Sequence, residues 1–94
     1  MITAIVTHKV KDFDKWHANF VEFEPSREKN GSQGSRIFRK LDEPNEVTVE
    51  LKWESLEKFN KFIQSNELKR EMEMSGVASK PEISVLSQFG TYAR

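Results

Sequence analysis

The chain has 94 residues, 36% of them hydrophobic and 32% charged, and its fifteen basic residues balance fifteen acidic ones. That length and patterning fit a single domain spanning 1–94, with a core from about 2 to 89, and the neutral balance provides no long-range field for nucleic acid or an anionic membrane. Cysteine is absent, which excludes disulfides, zinc–thiolate and iron–sulfur centres, and a thiol nucleophile.

The opening stretch Met1–Val6 lacks a basic leader and is too short for a signal-peptide core, and no apolar run approaches the roughly twenty residues that span a bilayer. A cytoplasmic location is the expectation. From Ile2 to Val10 the residues alternate, with Ile2, Ala4, Val6, His8 and Val10 on one face and Thr3, Ile5, Thr7 and Lys9 on the other. This predicts a strand whose first face is buried. Asp12 is placed to cap a following helix, and Phe13, Trp16, Phe20 and Phe23 fall at helical spacing as an aromatic stripe facing a sheet. Pro25 removes an amide, so the helix kinks there or restarts as a short piece through Lys29, and Gly31 ends it.

Gln33 to Leu41 reads as a second strand, with Asp42–Glu46 as its turn; Pro44 presets φ and Asn45 tolerates a left-handed conformation. Val47, Val49, Leu51 and Trp53 then alternate as a third strand, and the period switches to helical at Leu56, Phe59, Phe62 and Ile63 behind a Ser55 cap. Ser65 or Asn66 starts a further helical piece carrying Leu68 and Met72, which Gly76 terminates. Glu82 to Phe89 makes the last strand, with Ile83, Val85 and Phe89 on its inner face. The order predicts an α+β fold: a ferredoxin-like βαββαβ chain with a four-stranded antiparallel sheet and two main helices on one face. The opposite face mixes Ile5, Phe38 and Leu86 with Thr, Arg, Glu and Lys, a composition suited to cover by a second sheet.

Three stretches carry a resemblance: Val6-Thr7-His8-Lys9-Val10-Lys11-Asp12-Phe13-Asp14-Lys15-Trp16, Gly31-Ser32-Gln33-Gly34-Ser35-Arg36-Ile37-Phe38-Arg39, and Asp42-Glu43-Pro44-Asn45-Glu46-Val47, together with the Trp53-Glu54-Ser55-Leu56-Glu57 corner. With this topology, the chain resembles the dimeric α/β-barrel superfamily over nearly its whole length, and within it the antibiotic biosynthesis monooxygenase-like domains, including a subgroup labelled cyclase-like. The resemblance implies a homodimer whose sheets pack face to face, and a pocket between helices and sheet in each subunit. Members include cofactor-independent oxygenases of polycyclic phenols and quinols, haem-degrading enzymes, and proteins with no assigned catalysis. Trp53, Ser55 and Glu57 match the family's strand–helix corner. Phe62 stands where many relatives have histidine, and the first strand lacks the asparagine that several oxygenating members use; both departures count against the haem and oxygenase readings.

Strand parity directs His8 toward the pocket that Trp16 and Trp53 could line, making it the candidate base; a hydrogen-bonded structural histidine is the competing explanation. Trp16, Arg36, Phe38 and Trp53 are the candidate ligand-binding residues, suited to a flat aromatic ligand, while Phe20 and Phe59 read as core. Arg36 either anchors an anionic substrate or forms a subunit-crossing ion pair with Glu50, the latter preferred. His17 reads as a partly exposed helix residue. The two histidines lack further ligands at metal-binding spacing, so no metal and no cofactor is expected. Glu67 to Glu73 reads as a solvated helix face. Two functions follow: a cofactor-independent monooxygenase or cyclase-like enzyme acting on a small aromatic or polyketide-like compound, or a non-catalytic homodimer that binds a small ligand or serves as an interaction module. A substantial closed cavity reached by His8 favours the first, and side chains filling that space favour the second.

Overall fold

The computed structural model describes residues 1–93. Strand β1 (Ile2–Lys9) leads into α1 (Phe13–Glu22) and α2 (Glu24–Lys29), then β2 (Ser32–Lys40), β3 (Glu43–Trp53), α3 (Leu56–Ile63), α4 (Asn66–Met74) and β4 (Glu82–Leu86). The caps are where the side chains require them. Asp12 accepts the Lys15 amide, Ser55 the Lys58 amide and Ser65 the Leu68 amide, each at 3.2 Å, which satisfies amides left without an intrahelical partner. Pro25 marks a restart: α2 begins at Glu24 with the proline in its first turn, where its missing N–H costs nothing.

All strand pairs are antiparallel, and the sheet order is β2-β3-β1-β4. Ala4, His8, Val47, Val49, Leu51 and Trp53 share the inner face and are buried, joined by Trp16, Phe59 and Phe62 from the helices. This is the ferredoxin-like α+β architecture that the period changes predict. The core centres on Trp53, which is wholly buried, with its ring 4.6 Å from Phe62 and 5.6 Å from Phe59. Its indole N–H donates to the Asn30 carbonyl at 2.9 Å, meeting the polar demand that a buried tryptophan brings with it.

Three local expectations are corrected. The β2–β3 turn is Leu41-Asp42, and Pro44 and Asn45 belong to β3. The register jumps from Arg39 opposite Val47 to Lys40 opposite Glu43, so Pro44–Glu46 form a bulge that tolerates a residue with no amide donor. Asn45 is not left-handed, since no non-glycine residue among those described has positive φ, and its carbonyl accepts the Val10 amide at 2.8 Å. Strand β4 stops at Leu86; Phe89 is 97% exposed and Ile83 and Val85 are half-exposed, because the helices cover the sheet centre and leave this edge strand bare.

Gly31, with φ of +114°, joins α2 to β2 directly beneath Trp53, and a Cβ there would come within 2.9 Å of the indole nitrogen. Gly31→Ala should therefore combine backbone strain with a clash in the core and lower unfolding free energy by about 1–3 kcal/mol, read from urea denaturation. A loss below the error of that measurement would contradict the packing described here.

Candidate functional site

Between the helices and the inner face of the sheet lies a hollow of about 500 Å³. Its base is β-sheet, with Val6 and His8 from β1 and Val49 and Leu51 from β3; α1 contributes Trp16 and Phe20, and α3 contributes Phe59 and Phe62. The last side comes from α4 and the segment after it, including Leu68, Met72 and Val77. That segment is tied to the end of β1: Lys11 donates to the Gly76 carbonyl at 3.0 Å, and the Ala78 amide to the Lys9 carbonyl at 2.7 Å. Pockets of this size, mostly apolar with few polar groups, suit flat hydrophobic ligands.

His8 is buried opposite Val47, and its ring meets Trp16 edge-on at 5.7 Å. Neither ring nitrogen has a hydrogen-bond partner within the chain. Within the chain, His8 thus makes none of the hydrogen bonds that the structural reading gives it. Leaving a buried polar group unmatched costs about 1–3 kcal/mol, so such groups call for a reason. Burial pushes the His8 pKa below its ordinary 6.5, which keeps the imidazole neutral at pH 7 and able to accept a proton.

The candidate residues divide between the two sheet faces. His8 and Trp16 meet at the hollow. Trp53 is adjacent but packs behind Phe59 and Phe62 as core and does not reach the cavity surface. Arg36 and Phe38 lie on the reverse face, opposite Glu50 and Thr48. Arg36 binds both Glu50 carboxylate oxygens at 2.9 Å within one chain, so the pair is cross-strand where a subunit-crossing bridge was expected. That contact raises the Arg36 pKa and lowers that of Glu50. Phe20 and Phe59, read as core, also line the hollow, and His17 is exposed and stacked on Phe13.

Sequence reasoning missed Arg27, Glu71 and Ser75, which also line the hollow. Arg27 is 4% exposed, and its guanidinium lies 3.6 Å from the centre of the Phe20 ring. The signal was present: Arg27 is the next member of the series Trp16, Phe20, Phe23, four residues beyond Phe23. On α4, Leu68, Glu71, Met72 and Ser75 fall at offsets of three, four and seven, so part of the supposedly solvated face turns inward. Burial raises the Glu71 pKa, opposed by the hydrogen bond that Ser75 donates to it at 2.6 Å and by Arg27.

Among the described residues no group of three His, Asp or Glu side chains is arranged to hold a metal ion, and no helix is long and apolar enough to cross a membrane. Phe62 offers no metal-ligating atom from α3 and His17 lies outside the hollow, which leaves His8 as the imidazole that faces it.

Because the folded-state pKa of His8 is depressed, the unfolded chain binds the extra proton first. Its contribution to stability is intact above pH 6.5 and is lost as pH falls below that value. The thermal midpoint should decline from pH 7.5 to 5, and His8→Leu should flatten the decline. Parallel pH profiles for the two proteins would show that His8 is solvated and ionises freely.

No protein-family profile and no curated protein sequence matches the chain. Solved structures do match in shape. A Bordetella bronchiseptica protein provisionally named an antibiotic biosynthesis monooxygenase superposes with a TM-score of 0.78 at 18% identity, over 93% of this chain and 95% of that one. SnoaB, a cofactor-independent oxygenase from Streptomyces nogalater, gives 0.80 at 11% identity over 99% and 97% of the two chains. A conserved protein from Methanosarcina mazei Go1 gives 0.72 at 16% identity over 90% and 89%. At such identities the likeness speaks for backbone architecture, and by that measure this chain has the fold of the antibiotic biosynthesis monooxygenase-like proteins.

Proposed function

We propose that this protein is a cofactor-independent oxygenase or cyclase-like enzyme that acts on a small phenolic, quinolic or polyketide-like aromatic compound in its helix–sheet hollow. The observation that carries the reading is His8, buried and without a hydrogen-bond partner in the chain, facing a cavity walled by Trp16, Phe20, Phe59 and Phe62. A hollow of about 500 Å³ gives room for such a substrate, as it would for a ligand that is only bound, and His8 is what favours chemistry over binding alone. The likeness to SnoaB in fold adds support.

In this reading the aromatic rings bind the substrate and exclude water. His8 accepts the proton of a hydroxyl or an activated carbon, and the resulting anion delocalises over the ring system. Molecular oxygen then adds at the carbanionic carbon, and the imidazolium returns its proton to the peroxide anion to give a hydroperoxide. Neutral His8 next takes the remaining hydrogen of that carbon as the O–O bond breaks, so that the carbon–oxygen double bond of a quinone forms and the departing hydroxide leaves with that proton as water. A protonated resting histidine could not start this cycle, so the burial that lowers its pKa suits it to the role.

We also infer a homodimer. The reverse sheet face bears Phe38 and Leu86, each 49% exposed, among the Arg36–Glu50 pair and the Thr7–Thr48 hydrogen bond, and a second copy of the same face would cover them.

With a panel of phenols and quinols, oxygen uptake should be measurable for the wild type and fall about 100-fold in His8→Ala, the low end of what a positioned base contributes. Equal rates would remove His8 from the chemistry. Light scattering at micromolar concentration should return twice the 11.0 kDa chain mass. A monomeric mass would refute the dimer.

A further inference from the structure

His8, Arg27 and Ser75 are the buried polar side chains among the described residues, and Arg27 alone of them carries a permanent charge. The proposed proton transfer makes no use of it. Burial lowers the Arg27 pKa, while Glu24 and Glu71 raise it from a distance; neither carboxylate forms an ion pair with it among the described residues. Glu71 is engaged instead by Ser75, the C-cap residue of its helix, at 2.6 Å. The arginine stacks on Phe20 where the apolar hollow meets a second, more polar recess that it lines with Glu24, Glu28 and Ser32, and its planar fork is not taken up by either carboxylate.

The order of the groups around the hollow says which part of a ligand Arg27, on α2, would meet. Trp16 and Phe20 stand one helical turn apart with rings 5.2 Å apart; His8 meets the first ring, and the Arg27 guanidinium lies over the second. The aromatic wall therefore has a proton acceptor at one end and a cation at the other. A flat molecule lying along it would place its reacting hydroxyl at His8 and a distal substituent at Arg27. The planar guanidinium fork matches a carboxylate.

We propose that Arg27 is the specificity-determining anion site of the pocket and that the substrate is a hydroxylated aromatic carrying a carboxylate at the end remote from the reacting hydroxyl. This rests on the reading of the hollow as an aromatic-substrate site.

The test compares 6-hydroxy-2-naphthoate with 2-naphthol, which share a ring system and a hydroxyl, by calorimetric titration at pH 7.5. The wild type should bind the carboxylate about 10-fold more tightly or better. Arg27→Met should abolish the difference. Arg27→Lys, which keeps the charge but not the fork, should retain only part of it. Equal affinities in the wild type, or a preference that survives in Arg27→Met, would overturn the proposal while leaving the aromatic pocket standing. Failure of the wild type to bind either compound would bring down both. Should Arg27→Met fail to fold by circular dichroism, the wild-type comparison and Arg27→Lys decide: an undiminished preference in the lysine variant overturns the fork.

Discussion

The contact on which this structure turns is Trp53 against the α2–β2 connection. A tryptophan in the core needs a hydrogen-bond acceptor for its indole N–H, and the Asn30 carbonyl provides one at 2.9 Å. Gly31 beside it leaves the room a side chain would take, and its own carbonyl accepts the Glu54 amide at 2.9 Å. The entry of β2 and the exit of β3 are thereby pinned together, which fixes register. Strand faces alternate with a period of two, so a one-residue slip would turn Val47, Val49 and Leu51 outward. On the other side of β3, strand β1 pairs so that His8 stands opposite Val47 and shares its helix-facing side.

Rigid rings then produce the cavity. Trp16, Phe20, Phe59 and Phe62 prop the helices against the sheet without filling the space between. Close packing is the usual state of a protein interior, and a hollow of about 500 Å³ beside an unmatched histidine and a buried arginine departs from it in three ways at one place. Where several local rules fail together, function is the ordinary reason. The departure is also confined: on the far side of the sheet the polar groups are matched, Arg36 with Glu50 and Thr7 with Thr48.

The architecture was legible because it is written in periodicity. The alternation through β1 and β3, the caps Asp12, Ser55 and Ser65, and the switch at Trp53 depend on neighbours in sequence, and each appears where expected. What failed needs knowledge of partners distant in sequence. Phe89 alternates correctly with Val85, yet β1 offers a partner register only as far as Leu86. The Pro44–Glu46 bulge exists because Asn45 also bonds to β1, which no turn rule contains. For the site, parity located His8 and the aromatic stripe located Trp16. Arg27 escaped because a charged residue after a proline reads as surface, and only the continued helical spacing across the Pro25 restart betrays it.

One border of the sheet has a consequence for how copies of this chain can meet. Strand β2 is the outer strand on its side, and its pairing with β3 is broken by register shifts near both ends, between Ser32 and Gly34 and between Arg39 and Lys40. It also carries Arg36, Arg39 and Lys40. A foreign strand docking edgewise would have to desolvate those cations and follow an irregular backbone, so ribbon-like growth is obstructed. The other border, β4, is only five residues long. Both margins of the sheet thus resist continuous elongation, and the pocket face has no part in that protection.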